Sequence, residues 1–415
     1  MMNLKVLVVG HGAREHAIAK KIVESDAELH AAMGSRNPGI AGLSKRSEIM
    51  DITDTDRYAK FGDVDVAFIG PEAALAAGVT DRLNELGVPV VGPTREASKL
   101  EWSKAYTRLF LSDHGIEGNP EYSICRTGGE IREFLDAHAE VAVKPDVLTG
   151  GKGVRITGEH LKSREEVEAY AMERIGSDGL VVLEPRLVGR EFTLQAFTDG
   201  KSVSVMPLVR DYKRAFDGDR GPNTGSMGSY SREDHGLPGL SEASVRRGVS
   251  IMEHTVRELT ATGEAFRGVL YGGFMETEEG VYLLEYNSRF GDPEAMNVLA
   301  LLKRPLLDVG WEIIDGRLSD LGFEMKATVC VYIVPDGYPV DPKRGSEVRI
   351  KQPKSSELFF ASVHEEDGAI LTTGSRSVAL LAKGESISEA REKVYGDVPG
   401  IEGALFHRRD IGEGV

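Results

Sequence analysis

The stretch VYLLEYNSRFGDPE carries Glu285, Asn287 and Arg289 at two-residue steps near the end of an apolar run. Strand alternation puts Val281, Leu283, Glu285 and Asn287 on one face. An acid and an amide on an otherwise apolar face are costly unless they coordinate something. Such oxygen donors suit Mg²⁺ bridging nucleotide phosphates, and the Arg289 guanidinium suits a phosphoryl oxygen. The plainer alternative is a strand-end hydrogen-bond network.

Two further stretches have nucleotide chemistry in reach. In VAVKPDVLTGGKGV, Lys144 ends a buried-looking strand and precedes Gly150, Gly151, Lys152 and Gly153. Backbone N–H groups of such a loop can cover phosphates. Lys104 lies upstream in WSKAYTR. In VLEPRLVGREFT, the backbone beside Glu184 can read an adenine edge, and Glu191 can take ribose hydroxyls. Each charge, taken singly, reads as a solvated surface group. No Walker A, GxSxG, HExxH or paired CxxC sequence is present, so P-loop, serine-hydrolase and zinc chemistry lack their residues.

The N-terminal KVLVVGHGAREH nearly matches a dinucleotide-binding turn, but Glu15 stands at the third glycine position. The second strand ends AAMGSRNPG, without the acid that would hold a ribose. A tight turn at a helix N-terminus remains, which suits a single phosphate or serves the fold alone. In an open α/β sheet, ligands gather beyond the carboxyl ends of the strands. Gly10, Gly12, Arg14, Glu15, Asn37, Pro71 and Glu72 are therefore expected to line one crevice for a small phosphorylated molecule.

The elements that must position these groups read as α/β and α+β in several domains. The first hundred residues alternate β-branched runs with helical patterns, as an open parallel sheet requires. A helix pair follows, then strand, glycine-rich loop and strand. An amphipathic helix comes next, with Ser163 as its N-cap and Glu166 three residues on. LVVLEPRLVGREFTLQAFTDGKSVSVMPLV reads as consecutive antiparallel strands, and strands return after residue 325 with one late helix. Segments 1–102, 103–120, 121–190, 191–325 and 326–415 are the expected units.

The 415 residues provide ample core, and 41% apolar content is that of a globular chain. A net charge of −16 argues against nucleic acid as a partner. Two cysteines, Cys125 and Cys330, form no disulfide framework and fit a reducing compartment. No apolar run approaches the ~18 residues of a membrane span. A cytoplasmic protein acting on small molecules, without membrane or nucleic-acid partners, is expected.

The motifs VVGHGAREHAIA, IGPEAALAAGV, VVGPTREASKLEWSKAYTR, GGKGV, DYKR, GPNTGSMGSYS and EYNSRFGDPE occur in that order. In this the chain resembles the phosphoribosylamine–glycine ligases, or glycinamide ribonucleotide synthetases, of the ATP-grasp superfamily. The resemblance spans nearly the whole chain, and GPNTGSMG and RFGDPE are its most specific parts. It implies an N-terminal substrate domain, an ATP-grasp core with a small lid, and a C-terminal, mostly β domain. The implied reaction joins glycine to 5-phosphoribosylamine at the expense of ATP, through a glycyl phosphate, in purine biosynthesis.

The resemblance also implies roles for particular residues. Lys104, Lys144, the loop Gly150–Gly153, Glu184 and Glu191 would bind ATP, and Glu285 and Asn287 would hold Mg²⁺ or Mn²⁺. Arg289, Asn223 and Asp211 would serve catalysis. The N-terminal crevice together with Lys213, Arg214, Thr224 and Asp292 would bind substrates. The protein would be a monomer or small homo-oligomer. His11, Ala13, Ala295 and Met296 depart from the usual family residues, and VKPDVLTGGKGV replaces the more usual IKADGLAAGKGV. Many ATP-grasp relatives carry a second carboxylate where Gly273 stands, as this family does not. Three rivals share parts of this pattern: another ATP-grasp carboxylate–amine ligase, a NAD-linked oxidoreductase and a non-catalytic nucleotide sensor.

Overall fold

A computed structural model describes residues 4–148 and 153–415. The N-terminal unit is a five-stranded parallel sheet in the order Arg46–Ile49, Glu28–Met33, Lys5–Val9, Val66–Ile69, Val90–Val91. Its central strand is buried on both faces: Val6 and Val8 pack with Ala17 and Ile18, while Leu7 and Val9 pack with Tyr58 and Leu75. Burial on both sides is why the sequence shows unbroken apolar runs here. All the strands point their carboxyl ends toward Gly10, Gly34 and Gly70.

A four-stranded antiparallel sheet follows, in the order Ser123–Cys125, Val181–Pro185, Val141–Pro145, Arg155–Ile156. Helices Gly128–Ala137 and Arg164–Asp178 cover one face, burying Val141, Val143, Val181 and Leu183. Ser163 caps the second helix, its side chain accepting from the Glu166 N–H at 3.3 Å. Period-two alternation then leaves Ala142, Lys144 and Glu184 on the uncovered face.

The next sheet has the order Val203–Val205, Arg190–Asp199, Arg267–Glu276, Val281–Asn287. Helix Glu242–Ala261 packs Ile251, Met252, Val256 and Leu259 against Phe192, Leu194 and Phe274 on one face. Here two sequence expectations need correction. Val181–Pro185 and Arg190–Asp199 are not paired neighbours; the short Arg186–Gly189 link carries the chain from one sheet to another. Nor do Glu285 and Asn287 share the face of Val281 and Leu283. Gly273 pairs with Glu285 but Phe274 pairs with Leu283, so Leu284 is a bulge residue. The extra residue reverses the alternation: Val281, Leu283 and Tyr286 enter the core, and Glu285 and Asn287 face the opposite side.

The C-terminal sheet has six strands, with Ala327–Pro335 and Val378–Gly384 at its centre and helix Ile387–Asp397 over it. Gly228–Ser231 pairs with Ala327–Pro335, and Arg210–Asp211 pairs with Gly228–Ser231. A segment expected with the core thus belongs to the C-terminal sheet, and no single cut in chain order separates the two. No helix among the described residues is long and apolar enough to cross a membrane.

Candidate active site

The uncovered faces of the two middle sheets enclose a cleft of about 460 Å³. Lys144 and Glu184 come from one wall; Glu191, Thr193, Tyr271, Glu285 and Asn287 come from the other. The segment after Asn287 supplies Arg289, Asp292 and Glu294, and the loop before Gly228 supplies Asn223, Thr224 and Gly225. Asp211 and Lys213 complete the lining. Eleven of the expected site residues therefore meet in one place: Lys144, Glu184, Glu191, Asp211, Lys213, Asn223, Thr224, Glu285, Asn287, Arg289 and Asp292.

Lys144 Nζ lies 2.7 Å from Glu184 Oε2 and donates to the Leu284 carbonyl at 2.8 Å. Burial pulls the lysine pKa down, and Glu184 opposes that shift. Glu184 is 1% exposed and also receives Arg108 through Nε at 2.6 Å and Nη2 at 3.0 Å. Burial works against its ionisation, but Arg108 and Lys144 outweigh it and hold the carboxyl below its ordinary range. The Glu184 side chain is thus committed to two cations, which leaves the adenine edge to the backbone beside it. The backbone beyond it, Pro185 to Leu187, does line the cleft.

At the other end, Arg289 Nη2 reaches Glu101 at 3.0 Å and donates to Asn287 Oδ1 at 2.9 Å. Its Nε lies 3.2 Å from Glu72 Oε2. Burial lowers the arginine's pKa, but Glu101 and Glu72 more than reverse this, so it stays charged. Glu101 is fixed in turn by the Ser288 N–H at 2.8 Å and hydroxyl at 2.7 Å. Opposite, Glu294 accepts from the Tyr271 hydroxyl at 3.1 Å. Burial and then the Asp211 charge push its pKa up to about 7. Burial also raises Asp211, with Lys213 opposing and Glu191 adding to the shift. Lys213 pairs with Glu191, and its pKa is raised: Asp211 and Glu191 outweigh burial.

Other expected residues lie elsewhere or are already engaged. Lys104 is outside the cleft, donating to the Glu101 carbonyl at 3.2 Å. Gly150, Gly151 and Lys152 fall outside the described residues, and the Gly153 carbonyl accepts from the Tyr170 hydroxyl at 2.6 Å. Arg214 is paired with Glu159 and lines a neighbouring cleft. The Thr224 hydroxyl donates to the Lys213 carbonyl at 2.9 Å, which shapes the loop. Asn37 is 1% exposed; its amide donates to the His11 and Phe360 carbonyls, and its oxygen caps Gly39 and Ile40. Every hydrogen-bonding direction of Asn37 is used, so it joins two domains rather than holding a substrate.

The broken dinucleotide turn has a direct explanation. Glu15 Oε2 accepts the Gly12 N–H at 2.7 Å, and Glu15 Oε1 accepts Arg14 Nε at 2.6 Å. Its side chain fills the space beside Gly10, whose φ is +119°, and beside Gly70, where a Cβ would lie 2.2 Å from Glu15 Oε1. The helix N-terminus is thus capped by the Glu15 carboxylate, which takes the Gly12 N–H. The crevice does adjoin the cleft: Arg14 Nη1 donates to the Phe290 carbonyl at 3.0 Å, and Glu72, beside Pro71, joins Arg289.

Comparison with known proteins decides the family. Residues 4–101, 102–295 and 328–414 match, respectively, the N domain, the ATP-grasp (A) domain and the C domain of phosphoribosylglycinamide synthetase. The chain is 46% identical to phosphoribosylamine–glycine ligase of Methanoregula boonei, over 99% of this chain and 96% of that one. This chain belongs to the phosphoribosylglycinamide synthetase family. The phosphoribosylamine–glycine ligase of Methanothermobacter thermautotrophicus is 44% identical, over 99% and 96% of the two chains. The crystal structure of the Thermotoga maritima ligase superposes with a TM-score of 0.86 at 29% identity, covering 98% of this chain and all (100%) of that one. A biotin carboxylase from Campylobacter jejuni, at 13% identity, covers 99% of this chain and 94% of that one; its TM-score of 0.74 shows a shared fold alone.

Within this synthetase-family site, sequence reading missed Arg108, Glu101, Tyr271 and Glu294. Glu294 closes the RFGDPE motif itself, so the signal was present. Arg108 stands one helical turn after Lys104, on the same face, and it is Arg108 that turns inward. Glu101 and Tyr271 carry no local signal.

Proposed function

We propose a division of labour within this cleft. The protein is an ATP-dependent carboxylate–amine ligase. It joins glycine to 5-phosphoribosylamine, giving glycinamide ribonucleotide, ADP and phosphate in purine biosynthesis. A glycine carboxylate oxygen attacks the γ-phosphorus and ADP leaves. The amine nitrogen of phosphoribosylamine then attacks the carbonyl carbon of the glycyl phosphate. Phosphate departs with that carboxylate oxygen, and the nitrogen loses a proton.

The carrying observation is the convergence of Lys144, Lys213, Glu285, Asn287 and Arg289 on one cleft whose described lining holds no cysteine, serine or histidine. No cysteine–histidine or serine–histidine pair is among these lining residues to carry an acyl chain, and catalysis is read as positioning and charge neutralisation. Lys144 and the Gly150–Gly153 loop take the phosphates, and Pro185–Leu187 with Glu191 take adenosine. Arg289 faces the transferring group. Asp211 and Glu294 face the glycine ammonium, whose positive charge suits two crowded carboxyls. Asn223 to Gly225 border the acyl phosphate and limit water there.

Among the described residues no three His, Cys, Asp or Glu side chains gather around a common point. Glu285 and Asn287 nevertheless offer two oxygen donors on the cleft wall, a set that would hold a hard divalent cation. Mg²⁺ or Mn²⁺ bound there supplies charge neutralisation for the nucleotide. The N-terminal crevice at Gly10, Gly12, Arg14, Glu15, Pro71 and Glu72 is proposed for phosphoribosylamine. Its Glu15 and Glu72 carboxylates suit the hydroxyls and amine of that substrate. A cytoplasmic location and a monomeric or small homo-oligomeric state accompany this reading, with units at 1–102, 103–120, 121–190, 191–325 and 326–415 along the chain, strands Arg210–Asp211 and Gly228–Ser231 of the fourth joining the sheet of the fifth.

The test uses glycine labelled with ¹⁸O in its carboxylate. One labelled oxygen per released phosphate is expected whenever product forms. Unlabelled phosphate beside normal product would exclude the glycyl phosphate and the roles given to Lys144, Glu285, Asn287 and Arg289.

A further inference from the structure

The groups assigned so far come from the N-terminal unit, the two middle sheets, the segment after Asn287, the loop before Gly228 and, in the C-terminal sheet, the edge strand Arg210–Asp211. One charged group of the C-terminal sheet also reaches the cleft wall. Arg376 lies just before strand Val378–Gly384, and its side chain is 13% exposed. Its Nη2 lies 3.2 Å from Asp292 Oδ2. Its Nη1 donates to the Asp292 carbonyl at 3.1 Å, to the Ser226 carbonyl at 3.2 Å and to the Gly225 carbonyl. The guanidinium also lies over the Tyr332 ring, 4.2 Å from its centre. The Tyr332 hydroxyl donates to Asp292 Oδ1 at 2.5 Å. Both oxygens of Asp292 are therefore held from the C-terminal sheet, and the same arginine holds two consecutive carbonyls of the loop before Gly228.

We propose that Arg376 is a positioning residue for the ligation, fixing Asp292 and the Gly225–Ser226 backbone at the glycine end of the cleft. The C-terminal domain thereby completes the active site. A planar fork with several fixed N–H groups is what this task requires, since the acceptors come from two separate segments. A lysine offers one point of charge and can serve only part of the set. Tyr332 supports the same carboxylate from its other side. The inference rests on the reading that Asn223–Gly225 border the acyl phosphate and that Glu294, two residues after Asp292, faces the glycine ammonium.

The experiment compares Arg376→Lys, Tyr332→Phe, Asp292→Asn and a control, Ser386→Ala. Ser386 caps helix Ile387–Asp397 in the same domain, accepting the Glu389 N–H at 3.3 Å, and lies outside the site. KM for glycine and for ATP, kcat and melting temperature are measured for each. Arg376→Lys is expected to raise the glycine KM by ~10-fold or more and leave the ATP KM within ~2-fold. Tyr332→Phe shifts the glycine KM in the same direction by about 3-fold. Ser386→Ala lowers the melting temperature and leaves both KM values unchanged. A glycine KM unchanged in Arg376→Lys, or rising in step with the ATP KM, overturns the proposal. If Arg376→Lys does not fold, an unchanged glycine KM in Tyr332→Phe overturns it instead. An unchanged glycine KM in Asp292→Asn defeats the reading of the site as well. A rise in Asp292→Asn without one in Arg376→Lys defeats the role of Arg376 alone.

Discussion

Glu72 Oε2 and Arg289 Nε lie 3.2 Å apart although 217 residues separate them in the chain. Burial alone would raise the Glu72 pKa, but Arg289 and then Arg14 hold it down to about 2. The pair ties the N-terminal crevice to the phosphoryl end of the cleft. Glu72→Gln is expected to lower kcat/KM for phosphoribosylamine by roughly 10- to 100-fold, about 1.4–2.8 kcal/mol of transition-state stabilisation. The ATP KM stays within a factor of ~3, because Glu101 still holds Arg289. Steady-state kinetics with each substrate varied checks this, and an equal loss for ATP would reduce the pair to a structural tie.

Lys144 and Arg108 share Glu184 but are expected to respond differently. Lys144→Met leaves Glu184 paired with Arg108 and removes a phosphate contact, so the ATP KM rises roughly 10- to 100-fold, from a charge-assisted bond of ~1.5–3 kcal/mol. Arg108→Met leaves a buried carboxylate short of its main partner and destabilises the fold by ~3–5 kcal/mol. Chemical unfolding and ATP kinetics on both variants separate the two roles. An unchanged ATP KM in folded Lys144→Met would return Lys144 to a purely structural place.

Glu285→Gln and Asn287→Ala each remove an oxygen donor from the cleft wall without touching the core side of the strand. The Mg²⁺ concentration for half-maximal activity is expected to rise by about 10-fold or more in each. Far-UV circular dichroism remains that of the parent chain. A normal Mg²⁺ midpoint in both variants would leave the two as a strand-end network.

Glu294, with its pKa pushed up to about 7, predicts a pH-dependent glycine KM. Below that pH the carboxyl is protonated and offers the glycine ammonium no charge; above it the carboxylate does. The glycine KM should therefore fall as pH rises from 6 to 8, by up to about 10-fold per unit on the acid side. In Glu294→Gln the dependence flattens, and a dependence that persists there assigns it to another group.

His16 sets an acid limit on stability. Its Nδ1 accepts the Phe360 N–H at 3.0 Å, and burial followed by the Lys20 charge lowers its pKa from 6.5 to about 3. The unfolded chain binds this proton more tightly, so the contribution is complete above pH 6.5 and is lost as pH falls toward 3. At pH 5 the loss amounts to about 2 kcal/mol. Denaturant unfolding at pH 7.5 and pH 5 measures it. His16→Leu should be less stable at pH 7.5 and lose less on acidification; an equal loss in both would exclude His16 as the source.

Much of the cleft was legible because its chemistry is written in local patterns. Lys144 on an apolar strand, and Glu285 and Asn287 two residues apart, are costly placements that only a ligand or a network justifies. What was not legible depends on partners distant in sequence. That the Glu184 carboxylate belongs to Arg108, 76 residues before it, no local pattern shows. Asn37 looked like a crevice residue until Phe360 arrived at its amide. The facing of Glu285 was inferred from unbroken alternation, whereas a bulge opposite Gly273 decided it.

The sequence by itself determined the parallel N-terminal sheet, the succession of antiparallel sheets, the family motifs and the residue types that can handle phosphate. These follow from apolar periodicity and turn residues, which act over a few positions. Only the tertiary structure decided which charges are free and which are spent. It set Glu15 over the Gly12 N–H, Glu72 against Arg289, Glu294 beside Asp211 and Arg376 across two segments of the cleft. Desolvation makes every buried charge seek a partner, and that partner is chosen by packing of distant segments, which no local pattern records.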